Sequence, residues 1–344
     1  MKIKKSIAAS AIQNYKLNTE IVSSYQPKSG DVAIFEIVET GKHETIQSES
    51  KRNVGIFPGD LIMACFADRY ATSQFEGYVP DKPTEVLHIL GAGGAIGIVK
   101  SKNWALKDIE PTTVKLVGYC CDDNGNVINS KFYSRKRTKF NGHVVNKAKV
   151  ILSVGSTMDS GKTTTAAFLA RGLKQSGKTV AFIKFTGTSY TKDKDFVYDC
   201  GADAAVDFSD MGFPSTYMCD LNELLDLYQS LNTLLETVNP DYIVMEIADG
   251  LIQRETNMLL KNREFMNTIH SVVFSGGDSL SAFYGINYLN GLGIKPAAVS
   301  GRFTMSPLLV KEVMDNSSTI VLTIDQLMTG EFNYLFINQA LKVA

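Results

Sequence analysis

The chain has 344 residues, 44% of them apolar and 21% charged, with a formal net charge of −1. That composition excludes an intrinsically disordered chain, and the near-zero charge excludes a global basic field that would draw in nucleic acid or an anionic membrane. At roughly 100–200 residues per domain, the length suggests two domains.

Met1-Lys-Ile-Lys-Lys-Ser-Ile-Ala-Ala-Ser opens the chain with a basic segment and a short apolar run. Gln13 and Asn14 break that run before it reaches the about 7–15 apolar residues of a secretory signal. No later window approaches the about 18 apolar residues of a membrane-spanning helix, so a cytoplasmic protein is expected. Up to residue 147 the pattern is one of short apolar runs broken by turn residues. Asp31 to Glu39, Asn53 to Phe57, Asp60 to Phe66, Val86 to Leu90 and Thr113 to Tyr119 read as strands. Pro58-Gly59-Asp60 and Asp122-Asp-Asn-Gly125 read as turns. Apart from a short helix near the N-terminus, no long amphipathic helix is expected there, so residues 1–147 read as a small β-rich, barrel-like domain. Gly91-Ala-Gly93-Gly94 follows a strand but departs from the dinucleotide fingerprint G-x-G-x-x-G, and it reads as a glycine turn needed for backbone packing. The basic stretch Lys131 to Phe140 ends the first domain, and its core Arg135 to Lys139, flanked by Phe132, Tyr133 and Phe140, reads as a solvated linker rather than a contact for nucleic acid or an anionic substrate.

From residue 148 the pattern alternates. Apolar strands at Lys149 to Val154, Thr179 to Phe185, Asp241 to Ile247, Ser271 to Phe274, Lys295 to Ser300 and Thr319 to Ile324 are separated by helical periods, notably Thr163 to Lys174 and Leu221 to Val238. Continuous apolar strands between helices imply a mostly parallel sheet covered on both faces, hence a three-layer α/β domain over 148–344. Cys65, Cys120, Cys121, Cys200 and Cys219 are odd in number and show no C-x-x-C spacing, so free thiols in a reducing compartment are expected. His43, His88, His143 and His270 are scattered without metal-ligand spacing.

One motif carries chemistry. Gly155-Ser156-Thr157-Met158-Asp159-Ser160-Gly161-Lys162-Thr163-Thr164 lies between a strand and a helix. In that setting the loop N–H groups and the positive helix end converge on an anion. Lys162 would reach the β- and γ-phosphates, and the Thr163 hydroxyl would ligate Mg²⁺. The usual pattern is G-x-x-x-x-G-K-[ST], whereas here the first glycine, Gly155, stands one residue early and Ser156 holds its place.

With that spacing the loop resembles that of dethiobiotin synthetase and its relatives in the large P-loop class (SIMIBI) that includes partition ATPases and metallochaperone GTPases. Three further stretches are similar: Ile183-Lys184-Phe-Thr186-Gly187-Thr188, Val244-Met-Glu246-Ile-Ala-Asp249-Gly250, and Phe274-Ser-Gly-Gly-Asp278. The resemblance spans about residues 148–330 and leaves the first domain unrecognised. It implies a Mg-ATP-dependent enzyme acting on a small molecule, by phosphoryl transfer or by ligation through an activated oxyanion. Under it Lys162, Lys184 and Glu246 are the catalytic candidates. Thr163, Glu246 and Asp249 are the metal candidates, and Thr186, Gly187, Arg254 and Glu255 the substrate candidates. Arg254 and Glu255 read equally well as helix N-terminal residues.

There are departures. Dethiobiotin synthetase has no such β domain, Thr157 stands where partition ATPases carry a second lysine, and Val299-Ser300-Gly301-Arg302 replaces the guanine-reading N-K-x-D motif. ATP is therefore expected over GTP. The segment Gly201 to Asp210 and the acidic strand are also similar to a P-loop family that contains D-glutamate N-acetyltransferases. That resemblance implies an alternative in which the loop serves acetyl-CoA. A nucleotide-dependent switch or scaffold that binds a macromolecule is the other alternative. The expected partners are a small-molecule substrate and a second copy of the chain, as a homodimer.

Overall fold

The computed structural model describes residues 2–133, 135–144 and 147–337. Met1, at the head of the basic segment, and residues 338–344, the tail of the predicted second domain, lie outside the described residues. By internal contacts the chain divides into two compact units. The first takes in Met1–Lys136 and two short later segments, Gly187–Thr191 and Phe208–Met218. The second holds Arg137–Thr186, Lys192–Asp207 and Cys219–Ala344. Among the described residues no helix is long and apolar enough to cross a membrane.

The first unit is built on β1 (Lys4–Lys5), β2 (Lys16–Asn18), β3 (Val32–Glu39), β4 (Thr45–Gln47), β5 (Asn53–Gly55), β6 (Leu61–Phe66), β7 (Phe75–Tyr78), β8 (Val86–Gly91), β9 (Ala95–Lys102) and β10 (Thr113–Cys121). Its main sheet runs β1-β6-β3-β10-β8-β9-β7, and β6 also pairs with β9, so the strands from β6 round to β9 close into a small barrel. The closing joint is parallel, with Cys65 opposite Ala95 and Phe66 opposite Ile96. Register shifts at Thr113/Val114 and Leu116/Gly118 interrupt the β3–β10 ladder. Such bulges bend and twist a strand, which a tightly closed sheet requires.

β3 lacks polar alternation because both of its faces are covered. Ala33, Phe35 and Ile37 enter one core with Ile62, Phe66, Leu87 and Tyr119. Val32 and Ile34 pack on the other side with Ala9, Ile12 and Met63. The helix expected near the N-terminus is a single 3₁₀ turn, Ile7–Ala9, which supplies part of that cover. The five cysteines are free thiols. Burial pushes Cys65 and Cys120 up to about 12, which leaves them protonated and unreactive.

The glycine cluster forms the β8–β9 turn. A Cβ on Gly93 would overlap the backbone carbonyl oxygen of Ser189, which belongs to the later segment Gly187–Thr191. Backbone packing is thus the reason for glycine here, as its departure from the dinucleotide pattern suggested. α1 (Ser130–Tyr133) ends the unit's N-terminal stretch.

In the second unit, β11 (Lys149–Gly155), β12 (Val180–Lys184), β13 (Ala204–Asp207), β14 (Tyr242–Glu246), β15 (Ile269–Ser275) and β16 (Ala298–Ser300) form a parallel sheet in the order β13-β12-β14-β11-β15-β16. The helices are α2 (Lys162–Gln175), α3 (Lys192–Asp199), α4 (Leu221–Leu234), α5 (Arg254–Lys261), α6 (Arg263–Met266), α7 (Ser279–Gly291), α8 (Pro307–Asn316), α9 (Ile324–Thr329) and α10 (Tyr334–Ile337). Tyr242 and Val244 of β14 pack with Leu169 and Leu173 of α2 and with Leu327 of α9. The alternate residues Ile243 and Met245 point to the opposite face and are equally buried. Both faces of the sheet are therefore covered, as the unbroken apolar strands imply.

Two expectations change. Thr319 to Ile324 is not a strand: Val321 makes one isolated bridge to Val299, and the chain then enters α9. The reason is local, because Thr323 and Gln326 form a reciprocal capping box that starts a helix. The basic stretch is not a solvated linker throughout. Arg137 and Lys139 pair with Glu223 and Asp226 of α4, and the Thr138 N–H donates to the Ser230 hydroxyl at 2.9 Å. Lys131 is buried, with its ammonium 4.9 Å from the centre of the Phe213 ring.

Candidate phosphate-binding site

β11 ends at Gly155 and α2 begins at Lys162, so the whole motif is the turn between a central strand and the helix after it. Gly161 caps the helix with φ +95°, a left-handed conformation that costs an L-residue strain but glycine little. Asp159 is left-handed too, at φ +64°. The loop is anchored from outside. The Arg302 N–H donates to the Ser160 carbonyl at 2.9 Å, the Ser156 N–H to Ser275 at 2.9 Å, and the Gly277 N–H to the Ser156 hydroxyl at 3.3 Å. Ser160 is buried, and its hydroxyl has no hydrogen-bond partner among the described residues.

Sheet order brings the acidic strand alongside. β14 is the direct neighbour of β11, with Glu246 opposite Ser153, and β12 flanks β14 with Lys184 opposite Glu246. Glu246 is 1% exposed. Its Oε1 accepts from Thr163 Oγ1 at 3.0 Å and from Lys184 Nζ at 2.6 Å. Its Oε2 has no hydrogen-bond partner among the described residues, an expensive state for a buried carboxylate oxygen. Lys184 Nζ also donates to Asp193 Oδ2 at 2.7 Å. Burial works against the Lys184 cation, but Glu246 and Asp193 outweigh it and hold its pKa above the usual lysine value. The Lys184 charge likewise holds the Asp193 carboxyl below its ordinary value.

Lys162 is buried, and its Nζ donates to the Thr157 carbonyl at 2.6 Å. Burial lowers its pKa; Glu246, Asp249 and Asp159 oppose that shift, and Lys184 reinforces it. The structure therefore gathers Lys162, Thr163, Lys184 and Glu246, with Asp249 and Asp159 close enough for their charges to act on Lys162. Asp249 sits at φ +61° just past β14.

Of the expected substrate residues, Thr186 is buried and its hydroxyl accepts the Ala248 N–H at 2.9 Å. Gly187 begins a segment of the first unit, where its N–H donates to Thr216 Oγ1 at 2.9 Å. Arg254 and Glu255 open α5 and pair with each other; Arg254 also donates to the Cys219 carbonyl, and Gln253 donates to Glu255. Asp193, in the first turn of α3, meets Lys184.

Among the described residues no group of three or more His, Cys, Asp or Glu side chains is placed to hold a metal ion. The donor set here is instead one hydroxyl, one buried carboxylate with an unpartnered oxygen, and a helix start. That set fits a Mg²⁺ that takes its other ligands from phosphate and water.

Strand, loop, helix and neighbouring acidic strand together define a P-loop α/β domain of the NTPase fold class. No family model matches the chain, and a search of curated proteins finds no match either. Among solved structures the chain is similar to hydrogenase maturation factor HypB from Archaeoglobus fulgidus, at 9% identity over 55% of this chain and 89% of that one, with a TM-score of 0.37. It is also similar to the signal recognition particle receptor FtsY from Elizabethkingia anophelis, at 15% identity over 55% of this chain and 65% of that one, with a TM-score of 0.37. A DUF1611 family protein from Anabaena variabilis is similar at 10% identity over 63% of this chain and 66% of that one, with a TM-score of 0.42. The chain thus spans just under two thirds of the length of the last two.

Proposed function

We propose that the chain is a Mg-ATP-dependent enzyme that transfers the γ-phosphoryl group to, or activates, an oxyanion of a small molecule. The observation that supports this most directly is the shared acceptor, Glu246, whose Oε1 takes both the Thr163 hydroxyl and the Lys184 ammonium. Thr163 and Glu246 would hold the metal, which when bound offsets charge on the β- and γ-phosphate oxygens. Lys162 would turn from the Thr157 carbonyl to the phosphates. Its lowered pKa reflects a cation held in a buried place, where an added polyanion is strongly attracted. Lys184 would offer a second cation to the charge that develops in transfer. The loop N–H groups and the start of α2 complete the cradle.

The test is binding and turnover in the full-length protein. ATP with Mg²⁺ should bind, and Lys162→Ala should weaken it by about a hundredfold or more. Parallel titrations with GTP and acetyl-CoA separate the alternatives. Tight acetyl-CoA binding that ATP does not displace, or ATP binding indifferent to Lys162→Ala, would overturn the proposal.

A further inference from the structure

In the second unit α7 packs on β15, and its sequence is unusual for a helix with one side open to water. From Ser279 to Ile294 the chain has no Asp, Glu, Lys or Arg. The inward side of α7 is Ala282, Gly285, Ile286 and Leu289, all buried, with Gly285 against the Phe274 ring. The outward side carries Leu280, Phe283 and Tyr284, which are 75%, 36% and 65% exposed. A surface helix ordinarily turns charged residues to the solvent, whereas one that is apolar all round is covered.

The apolar surface continues on both flanks of α7. On one, the Tyr284 ring stacks on Tyr288 with centroids 6.5 Å apart. The Tyr288 hydroxyl accepts from the Asn257 amide, which also donates to the Leu251 carbonyl at 3.4 Å. Ile252, next in the chain, is 77% exposed. On the other flank α7 packs beside α8, and α8 beside the 3₁₀ turn Arg302–Met305. There Met305 and Leu308 are 84% and 74% exposed. On α8 the charges of Lys311 and Asp315 pair with each other.

Size and composition decide what covers this face. At about 200 Å² for a large apolar residue, the exposed parts of Ile252, Leu280, Phe283, Tyr284, Met305 and Leu308 come to about 800 Å². The largest apolar patch on a monomer is about 300–600 Å², and each partner in a stable interface of standard size gives up about 800 Å². An apolar and aromatic centre without charge is also the composition of such an interface. A twofold contact lays one patch on its own copy. A charged face would repel itself there, and the uncharged side of α7 does not.

We infer that the outward face of α7 is the surface through which two copies of this chain form a twofold dimer, with no nucleotide required. The inference stands independently of the proposed function.

Sedimentation velocity on the full-length protein, run without nucleotide over a range of micromolar concentrations, tests it. Wild-type and Lys162→Ala proteins should both sediment at twice the chain mass, so the phosphate loop is not involved. Leu280→Lys and Tyr284→Lys each place a charge at an exposed position, and thermal melts check that each variant still folds. In a twofold contact the substitution enters twice, so each should raise the dimer dissociation constant about a hundredfold or more. Trp104→Lys alters an exposed aromatic residue of the first unit and should leave the dimer intact. A monomer at every concentration overturns the inference, whatever else covers α7. So does a dimer that forms only with nucleotide, one that both α7 variants leave unchanged, or one that Trp104→Lys weakens as much as they do.

Discussion

At the scale of single residues, the candidate chemistry depends on how Glu246 is partnered. A carboxylate this deeply buried needs compensation, and the structure supplies it on one oxygen only, from Thr163 and Lys184. Glu246→Gln keeps the shape and removes the charge. The expected outcome is a loss of about 1–3 kcal/mol of folding stability, read by denaturant titration, because a charged hydrogen bond to Lys184 weakens while Asp193 remains. Under the proposed function, Mg²⁺-dependent ATP turnover should fall by about 10²–10³-fold. Turnover at the wild-type rate would remove Glu246 from the metal site. The phosphate loop, Glu246 and Lys184 can be picked out from sequence because a strand–glycine loop–helix and strand-end charges have few other physical uses. Asp193 cannot be picked from its neighbours Asp195 and Asp199 that way. All three lie on α3, and only the turn of that helix against β12 selects the one that reaches Lys184.

At the scale of elements, the β8–β9 turn and the segment Gly187–Thr191 define one close backbone contact. Gly93→Ala would drive a methyl into the Ser189 carbonyl. The expected cost is about 1–3 kcal/mol, measured as a lower denaturation midpoint, because neither backbone can retreat without loosening its turn. The control is Gly125→Ala in the Asp122–Asn126 turn, where a Cβ meets nothing and only the left-handed φ of +84° is disturbed. Equal losses in the two variants would mean that the close approach to Ser189 adds nothing beyond the ordinary cost of replacing a turn glycine. Strand and helix elements with strong periodicity are legible in the sequence alone, as α2, α4 and β14 show. Thr319 to Ile324 is not, because an apolar run of that length suits a strand and a helix start equally. The capping contact between Thr323 and Gln326 decides between them.

At the scale of the whole molecule, the stability–pH curve collects the titration of buried groups. Burial, then the nearby Arg69 and Lys42 charges, lower the His43 pKa from 6.5 to about 3. A folded-state pKa below the unfolded one stabilises the fold fully above the unfolded value. That contribution is lost as pH falls from the unfolded value through the folded one. Stability should therefore decline from about pH 6.5 toward pH 3 through this residue, and His43→Gln should flatten that part of the curve, as followed by thermal melts across pH. An unchanged slope in the variant would show that His43 takes up its proton without penalty. Period and turn chemistry determined by themselves that a β-rich stretch precedes an α/β domain and that the phosphate loop joins a strand to a helix. These are local properties, carried by residues a few positions apart. Tertiary structure alone decided that the sheet order sets Glu246 between Thr163 and Lys184 and that β6 meets β9 to close the barrel. Those partners are distant in sequence, and strand order and burial, which join them, leave no periodic trace along the chain.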